Sequence, residues 1–264
     1  MNALQRKEAH MEQIITIRDA DLTYQARNGE VEALRGVTFS VAEGEFVSIV
    51  GPSGCGKSTL LGVLAGLETL DGGTAALRGS AISGPNRLVG FMPQRDQLFE
   101  WRTIRDNVML GLELRRDRDP VHRRHAEALL ARYGLAEFAD KRPDQLSGGM
   151  RQRCALIRTL ATGPDILLLD EPFSALDYQT RLAVSGDIWR IIRGEGKTAL
   201  LVTHDISEAV SMSDRVVVLS QRPAVVKVVF DMGELRPLPP MERRENPAFP
   251  RYFDAIWKEL ELHE

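Results

Sequence analysis

The sequence is short of cysteine, of long apolar runs and of excess positive charge, and each shortage removes a class of protein. Cys55 and Cys154 are its two cysteines, too few for the disulfide framework of a small secreted domain. Both are read as reduced and incidental. The longest apolar runs, such as Ile166 to Leu169 and Val216 to Leu219, are strand-sized, whereas a membrane helix needs about 20 apolar residues. Any membrane crossing would therefore belong to another polypeptide. The N-terminal MNALQRKEAHMEQ is charged throughout and lacks the apolar core of a secretion signal, which points to the cytoplasm. A formal net charge of -3 argues against a dedicated nucleic-acid surface, since phosphate-backbone binding rests on clustered excess Lys and Arg. What remains, with 43% hydrophobic and 27% charged residues over 264 positions, is a folded globular chain, one compact domain with room for an appendage.

Short β-type runs at Ile14 to Ile17, Leu22 to Tyr24, Val37 to Val41 and Phe46 to Val50 are separated by turns such as Arg27-Asn28-Gly29-Glu30 and Ala42-Glu43-Gly44-Glu45. They predict a meander ending in a buried strand, with Tyr24 in a turn. That strand enters GPSGCGKST (Gly51 to Thr59), after which Lys57 to Gly66 reads as a helix with Leu60, Leu61, Leu64 and Leu67 on one side. From Trp101 to Asp144 the pattern is helical, with Thr103 as a cap and Leu129, Leu130 and Tyr133 at helical spacing. It reads as a helical subdomain inserted in an α/β core. A helix over Met150 to Ala161 precedes a Gly163-Pro164 break and the strands Ile166 to Leu169, Thr198 to Val202 and Arg215 to Leu219. Strands alternating with helices imply a mostly parallel sheet. Beyond a Pro-rich, charged segment (Arg236 to Asn246), Phe249, Phe253, Ile256, Trp257 and Leu260 form an apolar stripe, expected as a helix packed on its own domain.

The loop Gly51, Pro52, Ser53, Gly54, Cys55, Gly56, Lys57, Ser58 and Thr59 satisfies G-x-x-x-x-G-K-[ST] in full. Its glycines let the backbone wrap phosphates, its amides donate to their oxygens, Lys57 supplies charge near the β and γ phosphates, and Ser58 can ligate Mg²⁺. An ordinary glycine-rich turn would not sit between a buried strand and an apolar helix. The second strong element is the strand ILLL ending in Asp170-Glu171-Pro172. A carboxylate at that strand end makes Asp170 the candidate magnesium partner, with Glu171 placed to orient or deprotonate a water. His204 follows another buried strand. Alone it would be structural, but in a nucleotide site it can hydrogen-bond the γ-phosphate and hold the water in line. Gln94 is similarly a surface glutamine by default, or a magnesium or water ligand if its loop enters the site. Tyr24 could stack on adenine, and no guanine-reading Asn/Thr-Lys-x-Asp motif follows the acidic strand. Finally, Leu146-Ser147-Gly148-Gly149-Met150 opens a helix with a serine and two glycines, a second set of amides aimed at an anion.

Tyr24, GPSGCGKST, Gln94, LSGGM, LLLDEP, Ser174-Ala175-Leu176-Asp177 and His204, in this order and at these intervals, resemble the ATPase subunit of an ATP-binding cassette (ABC) transporter over roughly Ile14 to Val229. The phrase FMPQRDQLFEWRTIRDNVMLGLEL, with the tail PRYFDAIWKEL, is most similar to the nitrate/sulfonate/taurine importer group. Members of that group often carry proline where this chain has Glu100, and a different residue where it has Arg95. The resemblance implies a P-loop NTPase of ABC type: a mostly parallel core sheet, an N-terminal antiparallel β subdomain and an inserted α-helical subdomain. The ATPase domain would run over 12–235, its helical part over about 96–160, and a tail with an amphipathic helix over 236–264. It further implies ATP and Mg²⁺ as ligands, and two copies joined head to tail, with Ser147, Gly148 and Gly149 completing the site of the other copy. Asp177 would lie across that interface. Transmembrane permease subunits would dock in a groove formed by the segment after Gln94 and the helical insert, a separate binding protein would deliver a small solute, and nucleic acid would play no part. A soluble cassette ATPase of DNA repair or translation is the alternative. About ninety residues between Lys57 and Ser147 are too few for a long coiled-coil arm, and there is one cassette rather than two. A lipid-trafficking or efflux cassette is a third, weaker reading. The charge-mixed run Leu114 to His125 is read as a solvated helix face.

Overall fold

The computed structural model describes residues 12–26 and 29–261. The N-terminal segment before them and the middle of the turn expected at Arg27-Asn28 lie outside the described residues. Two sheets organise the chain. Strands β1 (Gln13–Ala26), β2 (Gly29–Ala42), β4 (Gly72–Leu77) and β5 (Ser80–Ala81) form an antiparallel sheet in the order β2-β1-β4-β5. Strands β3 (Phe46–Val50), β6 (Val89–Met92), β7 (Ile166–Asp170), β8 (Thr198–Val202), β9 (Arg215–Leu219) and β10 (Val226–Asp231) form a second sheet in the order β10-β9-β3-β8-β7-β6. Every pairing in it is parallel except the edge pair β10 with β9.

Three details correct the sequence reading. The first two apolar runs belong to one strand, β1, whose pairing with β2 shifts register between Ile17 and Ala20. Asp19 sits there at φ 47, so a bulge breaks the alternation without ending the strand. Tyr24 therefore lies within β1, opposite Val31, rather than in a turn. Phe46–Val50 does not complete the meander either. It joins the parallel sheet between β9 and β8, as its wholly buried pattern suits, because a parallel strand covered on both faces reads as a continuous apolar run.

The helices are α1 (Lys57–Leu64), α2 (Ile104–Leu114), α3 (Pro120–Arg132), α4 (Gly148–Leu160), α5 (Tyr178–Gly194), α6 (Ile206–Met212), α7 (Pro240–Glu245) and α8 (Phe249–Glu261). Thr103 caps α2 by accepting from the Asp106 amide, as its sequence position predicts. The period-2 alternation of β7 divides the core. Leu167 and Leu169 join a cluster with Val108, Leu129, Leu156 and Ile188, while Ile166 and Leu168 join one with Leu60, Leu61, Val37 and Leu77. The central sheet is thus covered by helices on one face and by α1 with the antiparallel sheet on the other. No helix among the described residues is long and apolar enough to cross a membrane.

The C-terminal elements are built into this body. Helix α8 packs on α6, β9 and β10, burying Ile256 but leaving Trp257 47% exposed. Helix α7 delivers Arg243, wholly buried, whose guanidinium donates to Leu238 O at 2.7 Å, Arg236 O at 2.8 Å and Ser213 O. Burial pulls its pKa down to about 10, with Asp214 opposing that shift, so it stays charged at neutral pH. Arg243→Ala strips three carbonyls of their donor, and it is expected to lower the free energy of unfolding by about 3 kcal/mol. Urea denaturation measures this, and a loss under about 1 kcal/mol would mean that α7 is held by other contacts.

Candidate functional site

Strands β3, β8 and β7 are neighbours and run parallel, so their carboxyl ends share one edge of the sheet. There the chain turns into the glycine loop, into Thr203-His204 and into Asp170-Glu171. Ligands of open α/β sheets bind outside such an edge. At Gly56, φ is +125, and a Cβ would stand 2.8 Å from the Ala33 carbonyl oxygen, so no other residue fits without displacing β2. Gly56 also begins α1 with no side-chain cap, leaving first-turn amides for an anion. The Lys57 ammonium donates to Gly51 O and Pro52 O, both at 2.8 Å, and one of its three donors remains. Cys55 is buried. Burial raises its thiol pKa, which leaves it a packing residue.

A cavity of about 390 Å³ opens at this edge. Tyr24, Ser53, Gly54, Gly56, Lys57, Ser58, Thr59, Gln94, Asp170 and Glu171 line it, together with Val31, Ala33 and Arg222, which the sequence reading missed. Val31 and Ala33 come from β2, and only strand register brings them here. Arg222 arrives from the β9–β10 connection, with no local motif to mark it. The Ser58 hydroxyl donates to Asp170 Oδ1 at 3.4 Å. Burial raises the Asp170 pKa, with the Ser58 hydrogen bond opposing and the Glu171 charge reinforcing the shift. The Tyr24 hydroxyl reaches Thr59 Oγ1 at 3.3 Å.

Glu171 is held in an uncommon conformation, φ 42, of the kind that persists where surrounding contacts over-determine the backbone. Its Oε2 accepts from Gln94 Nε2 at 3.2 Å and lies 3.1 Å from His204 Nδ1. Gln94 Nε2 also reaches Ser174 Oγ at 3.3 Å. One carboxylate oxygen therefore joins the ends of three strands, β6, β7 and β8.

The LSGGM turn is built as an N-terminus. Ser147 caps α4, its Oγ accepting from the Met150 amide at 3.3 Å. The glycines permit close packing: a Cβ on Gly149 would stand 2.6 Å from Val184 of α5, and one on Gly148 3.0 Å from Leu176. Asp177 caps α5 by accepting from the Thr180 amide at 3.1 Å. Ser147, Gly148 and Gly149 do not line the cavity of their own phosphate loop.

A complete G-x-x-x-x-G-K-[ST] loop between a parallel strand and a helix, two acids at the end of β7 two places along the same sheet edge, and a separate serine-glycine helix start define a cassette-type P-loop ATPase. The family described as "ABC transporter" matches residues 34–174. An uncharacterised ABC transporter ATP-binding protein of Bacillus subtilis, YtlC, is 43% identical over 239 residues, which is 90% of this chain and 92% of that protein. A taurine import ATP-binding protein of Ruegeria pomeroyi, TauB, is 39% identical, over 83% of this chain and 84% of that one. An aliphatic sulfonates import ATP-binding protein of Agrobacterium fabrum, SsuB 2, is 47% identical over 78% and 77%. Among solved structures, the ATP-binding cassette MJ0796, as a dimer in a post-hydrolysis state bound to ADP and Pi, matches with a TM-score of 0.70 at 31% identity, covering 83% of this chain and 98% of that one. The chain belongs to the ABC transporter family, in the nitrate/sulfonate/taurine group, and is an ATP-binding, ATP-hydrolysing subunit.

Behind His204 lies a carboxyl group that the motifs do not reveal. Glu208 in α6 is buried, accepting from Thr203 Oγ1 at 2.7 Å and standing 3.7 Å from Arg181 Nε. Burial pushes its pKa up to about 6 against the partial opposition of Thr203 and Arg181. A carboxyl pKa raised in the folded state contributes stability below the unfolded value of 4.5, and this is lost as pH rises through about 6. Glu208→Gln is thus expected to stabilise the protein by about 2 kcal/mol at pH 7.5 and by little at pH 4. Thermal unfolding at the two pH values checks the sign.

Proposed function

We propose that this chain is the motor subunit of an importer, working as a head-to-tail pair in which two ATP molecules lie between two copies. Gly51 to Thr59 of one copy hold the phosphates of each ATP, and Ser147 to Gly149 of the other copy complete its site. The observation that carries this is the separation of the two anion sites: an N-terminus of thirteen-residue α4 built like a phosphate site yet absent from the cavity beside its own Lys57. The dimeric cassette MJ0796 bound to ADP and Pi and relatives named for taurine and sulfonate import support it.

In this reading Tyr24 stacks on adenine, loop amides and Lys57 bind phosphate oxygens, and Ser53, Gly54 and Thr59 shape the cradle. Ser58, Asp170 and Gln94 would hold Mg²⁺. All three offer oxygen, and Mg²⁺ typically takes one or two carboxylates plus substrate phosphates, which suits a site where no cluster of three or more His, Cys, Asp or Glu occurs among the described residues. When bound, Mg²⁺ neutralises charge on the phosphate oxygens. Glu171 orients the attacking water and draws its proton, while His204, tied to the same Glu171 oxygen, keeps the water in line with the γ-phosphate. Losing the γ-phosphate removes the contact to Ser147, Gly148 and Gly149, so hydrolysis opens the pair. Asp177, at the start of α5, faces the other copy and couples the two sites.

The stroke passes to transmembrane permease subunits docked on the segment after Gln94, where Trp101 is 71% exposed and stacked on Phe99. The subunit then sits peripherally on the cytoplasmic face of the inner membrane. The solute is a small sulfonate, taurine, nitrate or nitrogen heterocycle delivered by a separate binding protein. The ATPase unit spans 12–235, its helical insertion about 96–160, and the tail 236–264.

Glu171→Gln is expected to retain ATP binding, cut turnover by about 10²-fold or more and accumulate an ATP-bound dimer on size-exclusion chromatography. Undiminished ATPase activity would remove Glu171 from its role. Ser147→Arg should abolish hydrolysis while leaving the ATP affinity of the monomer nearly intact by nucleotide titration, and a large loss of that affinity would contradict completion of the site by the other copy.

A further inference from the structure

Two arginines on one face of α4, seven residues apart and so two helical turns, grip the segment after Gln94. Arg158 Nη1 donates to Gln97 O and its Nη2 to Asp96 O, both at 2.7 Å. Arg151, in the first turn of α4, is bidentate to the Asp96 carboxylate at 2.8 and 3.2 Å and donates from Nη2 to Glu100 Oε1 at 2.7 Å. Asp96 also accepts from the Leu98 amide at 3.1 Å. Burial alone would raise the Asp96 pKa, but the hydrogen bonds of Arg151 and the Leu98 amide hold it below the usual carboxylate value.

The loop backbone is already held by Arg158 and by Asn107 of α2, which accepts from the Phe99 amide at 2.7 Å and donates to Phe99 O at 3.1 Å, whereas Arg151 bonds only the carboxylate side chains of the segment. A cation in the first turn of a helix opposes the macrodipole, and its two carboxylate partners offset that cost. Arg151 directly follows Met150, whose amide donates to the capping Ser147 Oγ. The same short segment begins at Gln94, bonded to Glu171, and leads into a half-buried Phe99 stacked on the exposed Trp101.

We infer that Arg151 is a positioning residue: through Asp96 and Glu100 it makes the segment 94–100 and the α4 N-terminus move as one body, so that the segment sets the aim of Ser147, Gly148 and Gly149. This rests on the two-copy reading above. Of the two carboxylates, Asp96 carries more of the linkage. Its side chain is 19% exposed against 54% for Glu100, and the two-pronged bond fixes orientation as well as distance.

The test is ATP-driven dimerisation of the full chain carrying Glu171→Gln, by analytical ultracentrifugation, with monomer ATP affinity measured in parallel. Arg151→Ala and Asp96→Asn should each raise the protein concentration for half-dimerisation about tenfold, with monomer affinity changed less than about twofold. Arg151→Lys, which keeps the charge but not the fork, should fall between, and Glu100→Gln should shift it less than about threefold. Dimerisation within about twofold of the parent for Arg151→Ala would overturn the inference, as would an equal loss of monomer affinity, the mark of a general structural defect. A parent that stays monomeric in ATP would instead overturn the two-copy reading and this inference with it.

Discussion

Parallel pairing of β3, β8 and β7 is the constraint on which the site depends. Strands that run the same way end on the same edge, so a loop becomes the neighbour of a pair of acids and a histidine that both follow it by more than a hundred positions. The Glu171 Oε2 atom then serves as the meeting point, taking Gln94 from the end of β6 and His204 from the end of β8. An antiparallel arrangement would scatter these groups to opposite edges. The uncommon backbone of Glu171 follows from the same constraint, because the chain must leave the edge sharply while keeping its amide on Val202 O at 2.9 Å.

What the sequence made legible was whatever is contiguous along the chain. The phosphate loop, the strand ending in Asp170 and Glu171, and the Ser147 cap are each local, and their chemistry follows from residue type and order. Strand membership was less legible. The polar Arg18-Asp19 step interrupts the alternation of β1 and hides its continuity, which is why Tyr24 reads as a turn residue although it is paired in a sheet. Contributions that depend on register or distant packing left no trace. Val31 and Ala33 look like ordinary strand residues, Arg222 like a loop cation, and the bond between Arg151 and Asp96 spans 55 positions.

The glycines of LSGGM illustrate how one residue type answers two demands. Each Cα backs onto α5 or Leu176 too closely for a Cβ to enter comfortably. In the proposed two-copy arrangement the same positions must also leave room for the other copy's phosphate, so packing and the proposed ligand select the same residue type. That agreement makes the motif informative, and it also means that a glycine substitution there disturbs two properties at once.

The position of β3 in the middle of the sheet has a bearing on synthesis. Both of its neighbours lie far later in the chain, with Phe46 paired to Ala199 of β8 and Val47 to Arg215 of β9, and the Phe46 amide is closed by Asp214 at 2.8 Å. When the phosphate loop has left the ribosome, its flanking strand still has no edge to pair with. Contacts of such high sequence separation form slowly, so the nascent chain carries an unpaired apolar strand until most of the protein has been made. The antiparallel sheet and α1, whose partners are local, are the parts able to form around it first, shielding one face of β3 while the other waits for the C-terminal third.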